Sequence, residues 1–191
     1  MSQKDLQTSL QTAWADDVLH FWFEELRAAD WFKSDPDLDA KIRARFGDLY
    51  TALKARPPAP CELDAHALLA AVLVFDQFPR NMFRRTPEAY VTDASALELA
   101  NHAAASGMDR TLGKQQRQFL YLPFMHSEDR AMQAESVRLC SELGIPDNVK
   151  YARHHHAVIE RFGRFPHRNA ILGRTSTPEE REFLKTEPPL V

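Results

Sequence analysis

A short segment near the C-terminal end of the chain, FPHRNAILGR at 165–174, combines with the arginine before it to offer many anion-binding groups. These groups are Arg164, His167, Arg168, Asn169 and Arg174. Guanidinium groups present planar pairs of N–H donors that suit carboxylates and phosphates. The same arginines could instead bind helix carbonyls and acidic neighbours within the fold. The residue types therefore indicate either an anion site or a set of internal ion pairs.

The charge distribution supports a local role for this segment. The net charge of the chain is −3, which argues against a protein that coats DNA or an anionic membrane. Residues 150–174 nevertheless contain six lysines and arginines and only one acid, Glu160. The positive charge is thus concentrated in one place within an acidic chain.

A second cluster of polar residues occurs at DQFPRN, 76–81. Asp76 and Arg80 lie four residues apart and could form an ion pair, with Asn81 capping the turn. Alternatively, Asp76 acts as a base or orients a histidine, and Arg80 and Asn81 bind a ligand. FDQFPRN resembles FGRFPHRN at 162–169, which suggests equivalent positions in two helical pairs.

A third cluster follows the aromatic–proline sequence FLYLPFMHSED. Ser127 is predicted to cap the sixth helix, with Glu128 and Asp129 in its first turn. His126 stands at the entrance of that helix, where an imidazole can serve as a general base or contact a ligand. Glu128 is predicted to belong to the polar lining of the same ligand pocket. The bland alternative is a capping sequence with no function.

Three consecutive histidines occupy 154–156. Neighbouring helical positions are about 100° apart, so these imidazoles cannot converge on one ion. His155 shares a stripe with Ala152 and Ile159 and is predicted to point inward, either as a core residue or as part of a pocket. The chain has no HExxH, GxSxG or Walker spacing, and we assign it no metal and no cofactor.

Helical periodicity must position these residues, because apolar side chains recur every three or four residues along most of the chain. The pattern predicts eight helices. The first carries Trp14 to Leu26, the second Leu38 to Leu53, and the third runs from about Asp64 to Phe75; four follow at about 93–106, 113–122, 127–143 and 147–162, and the last begins at Thr177 with a capping box to Glu180.

The predicted fold is all-α, with helices in antiparallel pairs that form a tetratricopeptide-like superhelix or a bundle. We expect one domain over 1–191 with a short polar extension at 1–10. Three of the helices are followed by an aromatic–proline junction, and we expect each proline to end its helix.

The cellular location is predicted from what the sequence contains. Its two cysteines form no paired framework, and its N-terminus has no apolar signal core. The longest run free of polar residues, 67–75, is too short to span a bilayer. We therefore expect a soluble cytoplasmic protein and predict no oligomeric state.

Four ordered motifs carry a family resemblance: VLHFWF, DQFPRN, YLPFMHSE, and RFGRFPHRNAILGR with the following S-T-EE pattern. From about 18 to 184 the chain resembles a bacterial family of unknown function, DUF924. The resemblance implies an α-helical fold similar to tetratricopeptide-like superhelices, and it implies no activity.

Three functions are compatible with these residues. The favoured hypothesis is a pocket for a small anionic ligand, with Asp76, His126 and His155 available for hydrolysis or group transfer, although binding without catalysis stays open. The alternative is an interaction module whose arginines hold an acidic peptide. Nucleic-acid binding ranks last, because the basic segment is short and the rest of the chain is acidic.

Overall fold

The computed structural model describes residues 13–186, and this part of the chain forms eight helices and no β-strand. The predicted all-α class is confirmed, whereas the tetratricopeptide-like arrangement stays a prediction. The predicted extension at 1–10 lies outside the described residues. None of the helices in the described range is long and apolar enough to cross a membrane.

The helices are numbered in chain order; two of them contain a π-helical turn and a third is interrupted at Tyr121. They are α1 (13–25, ending in a π-helical turn at Phe21–Glu25), α2 (Pro36–Ala55), α3 (65–82, with Ala65–Val72, a π-helical turn at Leu73–Gln77, and Phe78–Met82), α4 (Asp93–Ser106), α5 (114–126, with Lys114–Leu120 and Leu122–His126), α6 (Arg130–Leu143), α7 (Pro146–Phe162) and α8 (Pro178–Thr186).

Helix α3 lies at the centre of the core. Every residue from 67 to 79 is buried, including Asp76 and Gln77. A helix that is buried on all sides must be surrounded by other helices, and α2, α4 and α5 supply those contacts. Polar side chains that α3 carries are therefore held inside the molecule.

The prediction that proline ends the third and fifth helices is wrong. The chain stays helical through Pro79 in α3 and Pro123 in α5. Because Pro79 has no N–H, the carbonyl of Phe75 lacks its usual partner four residues on, and the hydroxyl of Thr92 donates to it instead at 2.7 Å. The π-helical turn at Leu73–Gln77 precedes this proline. Pro166 does follow the end of its helix, as predicted.

Helices α6 and α7 form a hairpin that packs on the end of α5. Gly144, with φ of 68°, ends α6 in the left-handed conformation that glycine adopts without strain, and the chain reverses within two residues. The inward direction predicted for His155 on α7 is confirmed, because the residue is only 4% exposed.

Of the two predicted N-terminal caps, that of α8 is confirmed and that of α6 is wrong. Glu180 N–H donates to the Thr177 hydroxyl and Thr177 N–H donates to the Glu180 carboxylate, which confirms the capping box of α8. The predicted start of the sixth helix is wrong. Asp129, rather than Ser127, caps α6 by accepting a hydrogen bond from Met132 N–H.

Candidate functional site

The candidate site begins with a contact between two residues that lie fifty positions apart in the chain. The Nδ1 atom of His126, the last residue of α5, lies 2.7 Å from Oδ1 of Asp76 in the π-helical turn of α3. Asp76 is fully buried and His126 is 8% exposed. The amide of Gln77 donates to the other carboxylate oxygen of Asp76 at 2.5 Å. Asp76 is therefore placed to orient the imidazole.

Alternating charges extend from this pair. Nη1 of Arg80 lies 3.2 Å from Asp76 Oδ1, and the same guanidinium donates two hydrogen bonds to Asp93 at 2.7 and 3.0 Å. On the far side of Asp93, Nη1 of Arg168 lies 3.6 Å from Oδ2. The predicted pairing of Asp76 with Arg80 is confirmed. The row of charges links α3, the start of α4 and the turn that carries Arg168.

The electrostatic environment sets the protonation of the pair. Burial opposes ionisation of Asp76, but the positive charge of Arg80 and the hydrogen bonds from His126 and Gln77 outweigh it and hold the pKa of Asp76 well below its ordinary value. Burial, reinforced by the charge of Arg80, lowers the pKa of His126. At neutral pH the imidazole is therefore uncharged and the carboxylate is ionised.

This protonation state fixes the tautomer of His126. An ionised carboxylate can only accept, so Nδ1 must carry the hydrogen that it shares with Asp76. The lone pair is then on Nε2, which forms no hydrogen bond with any residue of the described range. An imidazole in this state can take a proton from a nucleophile.

The guanidinium of Arg168 is buried but poorly satisfied. The residue is 7% exposed and lies between two aromatic rings, 4.8 Å from the centroid of Tyr90 and 4.6 Å from that of Phe165. Within residues 13–186 its side chain forms no hydrogen bond, and its Nε atom is buried without a partner. Burial and the nearby Arg80 lower the pKa of Arg168 to about 10, so it stays charged at neutral pH. Such a group favours an anionic partner.

One cavity of about 500 Å³ brings these groups together. Its volume is within the range of small-molecule sites, about 300–1,000 Å³. The wall combines apolar and polar residues: Pro87, Tyr90, Val91, Asp93, Ala94, Leu97, Pro123, His126, Ser127, Glu128, Arg168 and Leu172. His126 and Arg168 thus line the same recess.

Glu128 holds in place the segment that carries Arg168. Its carboxylate accepts a hydrogen bond from Phe165 N–H at 2.7 Å and two from Arg174 at 2.7 and 3.0 Å. Arg174 also donates to the carbonyl of Phe165 at 3.1 Å. These bonds tie the loop between α5 and α6 to the segment 163–174. Because α6 begins at Arg130, Glu128 precedes the first turn of this helix, contrary to the prediction.

Gln133 of α6 holds the backbone around His126. Its side-chain NH₂ lies 2.7 Å from the carbonyl of Met125, 2.6 Å from that of Ser127 and 3.4 Å from that of Phe124. Gln133 is fully buried. These carbonyls belong to the last turn of α5 and to the residue that follows it. This one amide therefore fixes the backbone on both sides of His126.

Replacing Gln133 with leucine is expected to lower the free energy of unfolding by about 2 kcal/mol, because buried carbonyls lose their donor. Urea denaturation measures this change. The matched control is Gln115→Leu, which alters an exposed glutamine of α5 and should change the free energy by less than about 0.5 kcal/mol. Equal effects of the two substitutions would contradict the role of Gln133.

Several predicted ligand-binding residues have internal partners. Arg164 donates two hydrogen bonds to Glu180 at 2.6 and 2.8 Å and a third to the carbonyl of Thr175. The buried amide of Asn169 binds Ser176 and Glu180. These two residues, together with Arg174, connect the basic segment to acids from α8 and the α5–α6 loop, and they do not line the cavity.

The other predicted residues do not line this cavity, and Asn81 lines a separate recess beside α2. Asn81 donates to the carbonyl of Gln77 at 2.9 Å. His155 binds the carbonyl of Tyr151 through Nδ1, and its ring lies 6.4 Å from that of His126. His167 lies against Phe165, with ring centroids 5.6 Å apart. His155 and His167 both pack against Phe165, the aromatic ring that the guanidinium of Arg168 also contacts.

The sequence does not single out Asp93, Tyr90 or Gln133 as site residues. Asp93 bridges two arginines but looks in the sequence like an ordinary acid in the first turn of a helix. Tyr90 lies in the short 3₁₀ turn Pro87–Tyr90, where the sequence gives no sign of a ring that meets Arg168. Gln133 is one of several glutamines on amphipathic helices. No local signal distinguishes these three residues.

No group of three or more histidine, cysteine, aspartate or glutamate side chains is placed to hold a metal ion within the described part of the chain. The polar groups of the cavity wall include one imidazole, one guanidinium group and two carboxylates that already pair with arginines. This set suits binding of an organic anion and proton transfer.

The fold and the cavity define a class: an all-helical domain with a buried aspartate–histidine pair and an arginine on one recess between helices. The chain belongs to the DUF924 family, because the model of this family, described as bacterial protein of unknown function, matches residues 18–188. The resemblance predicted from the four motifs is confirmed.

A solved structure shows the same fold. The chain is similar to a protein of unknown function from Agrobacterium tumefaciens, with 40% sequence identity and a TM-score of 0.87. The match covers 93% of this chain and 99% of that one. A search of curated proteins finds no match.

Proposed function

We propose that the protein binds a small anionic molecule at Arg168 and acts on it with His126 as a general base oriented by Asp76. The observation that carries this proposal is the shared wall of one cavity, which contains His126 and Arg168, while Asp76 holds the imidazole from behind. The reaction class is hydrolysis or group transfer. In either reaction Nε2 takes the proton of water or of an acceptor hydroxyl as that oxygen bonds to the substrate, and the carboxylate of Asp76 stabilises the imidazolium. The bond to the leaving group then breaks, and the imidazolium returns the proton to the leaving group.

The protein supplies each part of this chemistry before a ligand arrives. His126 is uncharged at neutral pH and its Nδ1 is already bound, so its basic nitrogen needs no rearrangement. Arg168 is held rigidly between Tyr90 and Phe165 with donors to spare. Groups fixed in advance bind more tightly and catalyse better than groups that must be ordered on binding.

The nucleic-acid alternative loses support from the ion pairs of the basic segment. Arg161 donates to Glu179, Arg164 to Glu180 and Arg174 to Glu128. Neighbouring carboxylates therefore neutralise much of the positive charge that the sequence concentrates there. An acidic peptide whose terminal carboxylate reaches Arg168 remains the alternative ligand, and it uses the same anion-binding group.

Anion binding at Arg168 is expected to raise the pKa of His126, because a negative charge in the same recess stabilises the imidazolium. Nuclear magnetic resonance titration of the His126 ring with and without acetate or inorganic phosphate measures this change. Arg168→Gln should abolish it. Arg153→Gln is the matched control, since Arg153 is an exposed arginine of the same basic segment.

Two results would contradict the proposal. One is anion binding that persists in Arg168→Gln, and the other is binding at Arg168 that leaves the His126 titration unchanged. The catalytic part is tested separately with 4-nitrophenyl esters and 4-nitrophenyl phosphate. Turnover by the protein should fall by about 10²–10⁴-fold in His126→Gln, and turnover that survives this substitution would exclude His126 as the base.

A further inference from the structure

The mouth of the cavity carries exposed apolar side chains. Val91 is 52% exposed and Leu172 is 37% exposed, and both belong to the wall that contains Arg168. Ala94, Leu97 and Pro87 continue this apolar surface. Exposed apolar groups that border a polar recess commonly mark a binding site. Here they indicate a ligand with an apolar part next to its charge.

The charges around Arg168 limit the charge of that ligand. Three arginines, Arg80, Arg168 and Arg174, are matched by three carboxylates, Asp76, Asp93 and Glu128. Asp93 and Glu128 lie on the cavity wall itself. An anion with one negative charge can use the unsatisfied donors of Arg168. A phosphate with two charges and three oxygens would meet stronger repulsion from these carboxylates.

We propose that the ligand is a carboxylate with an apolar chain or ring, an inference that rests on the proposed function of the same cavity. The carboxylate accepts hydrogen bonds from Arg168. The apolar part covers Val91 and Leu172 at the mouth. His126 then faces the atoms next to the carboxylate, where the bond that reacts would lie.

Matched probes test this inference by isothermal titration calorimetry on the full chain. Hexanoate should bind at least about tenfold more tightly than hexyl phosphate, which also has six carbon atoms, because the carboxylates repel the second charge. It should also bind at least about tenfold more tightly than acetate, which has no chain to bury. Arg168→Gln should abolish the binding of hexanoate.

The apolar contact has its own variant. Leu172→Ser should weaken hexanoate binding by about tenfold and leave acetate binding unchanged. The matched control is Leu184→Ser, which alters a leucine of similar exposure, 39%, on α8 away from the cavity. Both leucines are exposed, so neither substitution should prevent folding, and circular dichroism checks this.

The possible outcomes separate the two proposals. Hexyl phosphate that binds as tightly as hexanoate and still requires Arg168 would overturn the carboxylate inference while supporting the anion site. Hexanoate binding that is equal in Leu172→Ser and Leu184→Ser would overturn the apolar contact. No Arg168-dependent binding of hexanoate, hexyl phosphate or acetate would overturn both the inference and the proposed function.

Discussion

Replacing Asp76 with alanine is expected to lower the free energy of unfolding by about 3–5 kcal/mol. Asp76 is fully buried within α3, and its carboxylate is within 3.2 Å of Arg80 and 2.7 Å of His126. Removal of one partner from a buried ion pair leaves the other charge without compensation. Arg80 keeps its hydrogen bonds to Asp93 in this variant. However, Asp93 alone must then balance the charges of both Arg80 and Arg168.

Urea denaturation at pH 7 measures this effect. The matched control is Asp16→Ala, which removes an exposed carboxylate from α1 and should change the free energy of unfolding by less than about 0.5 kcal/mol. Asp76→Asn separates charge from shape, because asparagine can keep a hydrogen bond with His126. A loss below about 1 kcal/mol for Asp76→Ala would show that Asp76 does not hold the row together.

Acidification from pH 6.5 to pH 4.5 is expected to destabilise the protein steeply. Burial lowers the pKa of His155 to about 3. Burial, with the charge of Arg168, lowers the pKa of His167 to about 4. The pKa of His126 is lowered as well. In this pH window the unfolded chain binds protons at these histidines that the folded chain does not bind.

The direction and the size of this change in stability with pH follow from proton linkage. A depressed folded-state pKa of a histidine means that stability is fully present above the unfolded value of 6.5 and is lost as the pH falls toward the folded value. Each proton contributes about 1.4 kcal/mol per pH unit, so an uptake of two to three protons gives a slope of about 3–4 kcal/mol per pH unit.

Urea denaturation at pH 6.5, 5.5 and 4.5 gives this slope. His155→Gln should reduce it by about one proton, whereas His66→Gln, a substitution of an exposed histidine, should not change it. A wild-type slope below that of a single proton would mean that the three imidazoles titrate normally in the folded protein. The slope of the free energy of unfolding against pH thus measures how many protons the folded state excludes from these buried histidines.

The sequence predicts the helices well where apolar periodicity and a strong end signal coincide. The bounds 93–106 predicted for the fourth helix match α4, and α7 differs from its prediction by one residue at its start. The errors occur at Pro79, Pro123 and Ser127. At Pro79 a distant hydroxyl, that of Thr92, replaces the missing local hydrogen bond. A rule that uses only neighbouring residues cannot include a donor that lies 17 residues away in the chain.

The site was predictable in its residue types but only partly in its partners. The motifs identified His126 and Arg168, which line one cavity, and Asp76, which binds His126 from behind. The sequence could not show that Arg164 and Arg174 meet Glu180 and Glu128, since those acids are 16 and 46 residues away. Arginines look alike in a sequence, and only the fold decides which guanidinium finds an internal acid.

The π-helical turn at Leu73–Gln77 has a consequence for the spacing of the whole motif. A π-helical turn contains one residue more than an α-helical turn, and one residue corresponds to about 100° of rotation around the axis. Deletion of a single residue from this turn would rotate Arg80 away from Asp93 while the helix itself persisted. The number of residues between the core of α3 and its polar end is therefore as strictly constrained as their identity.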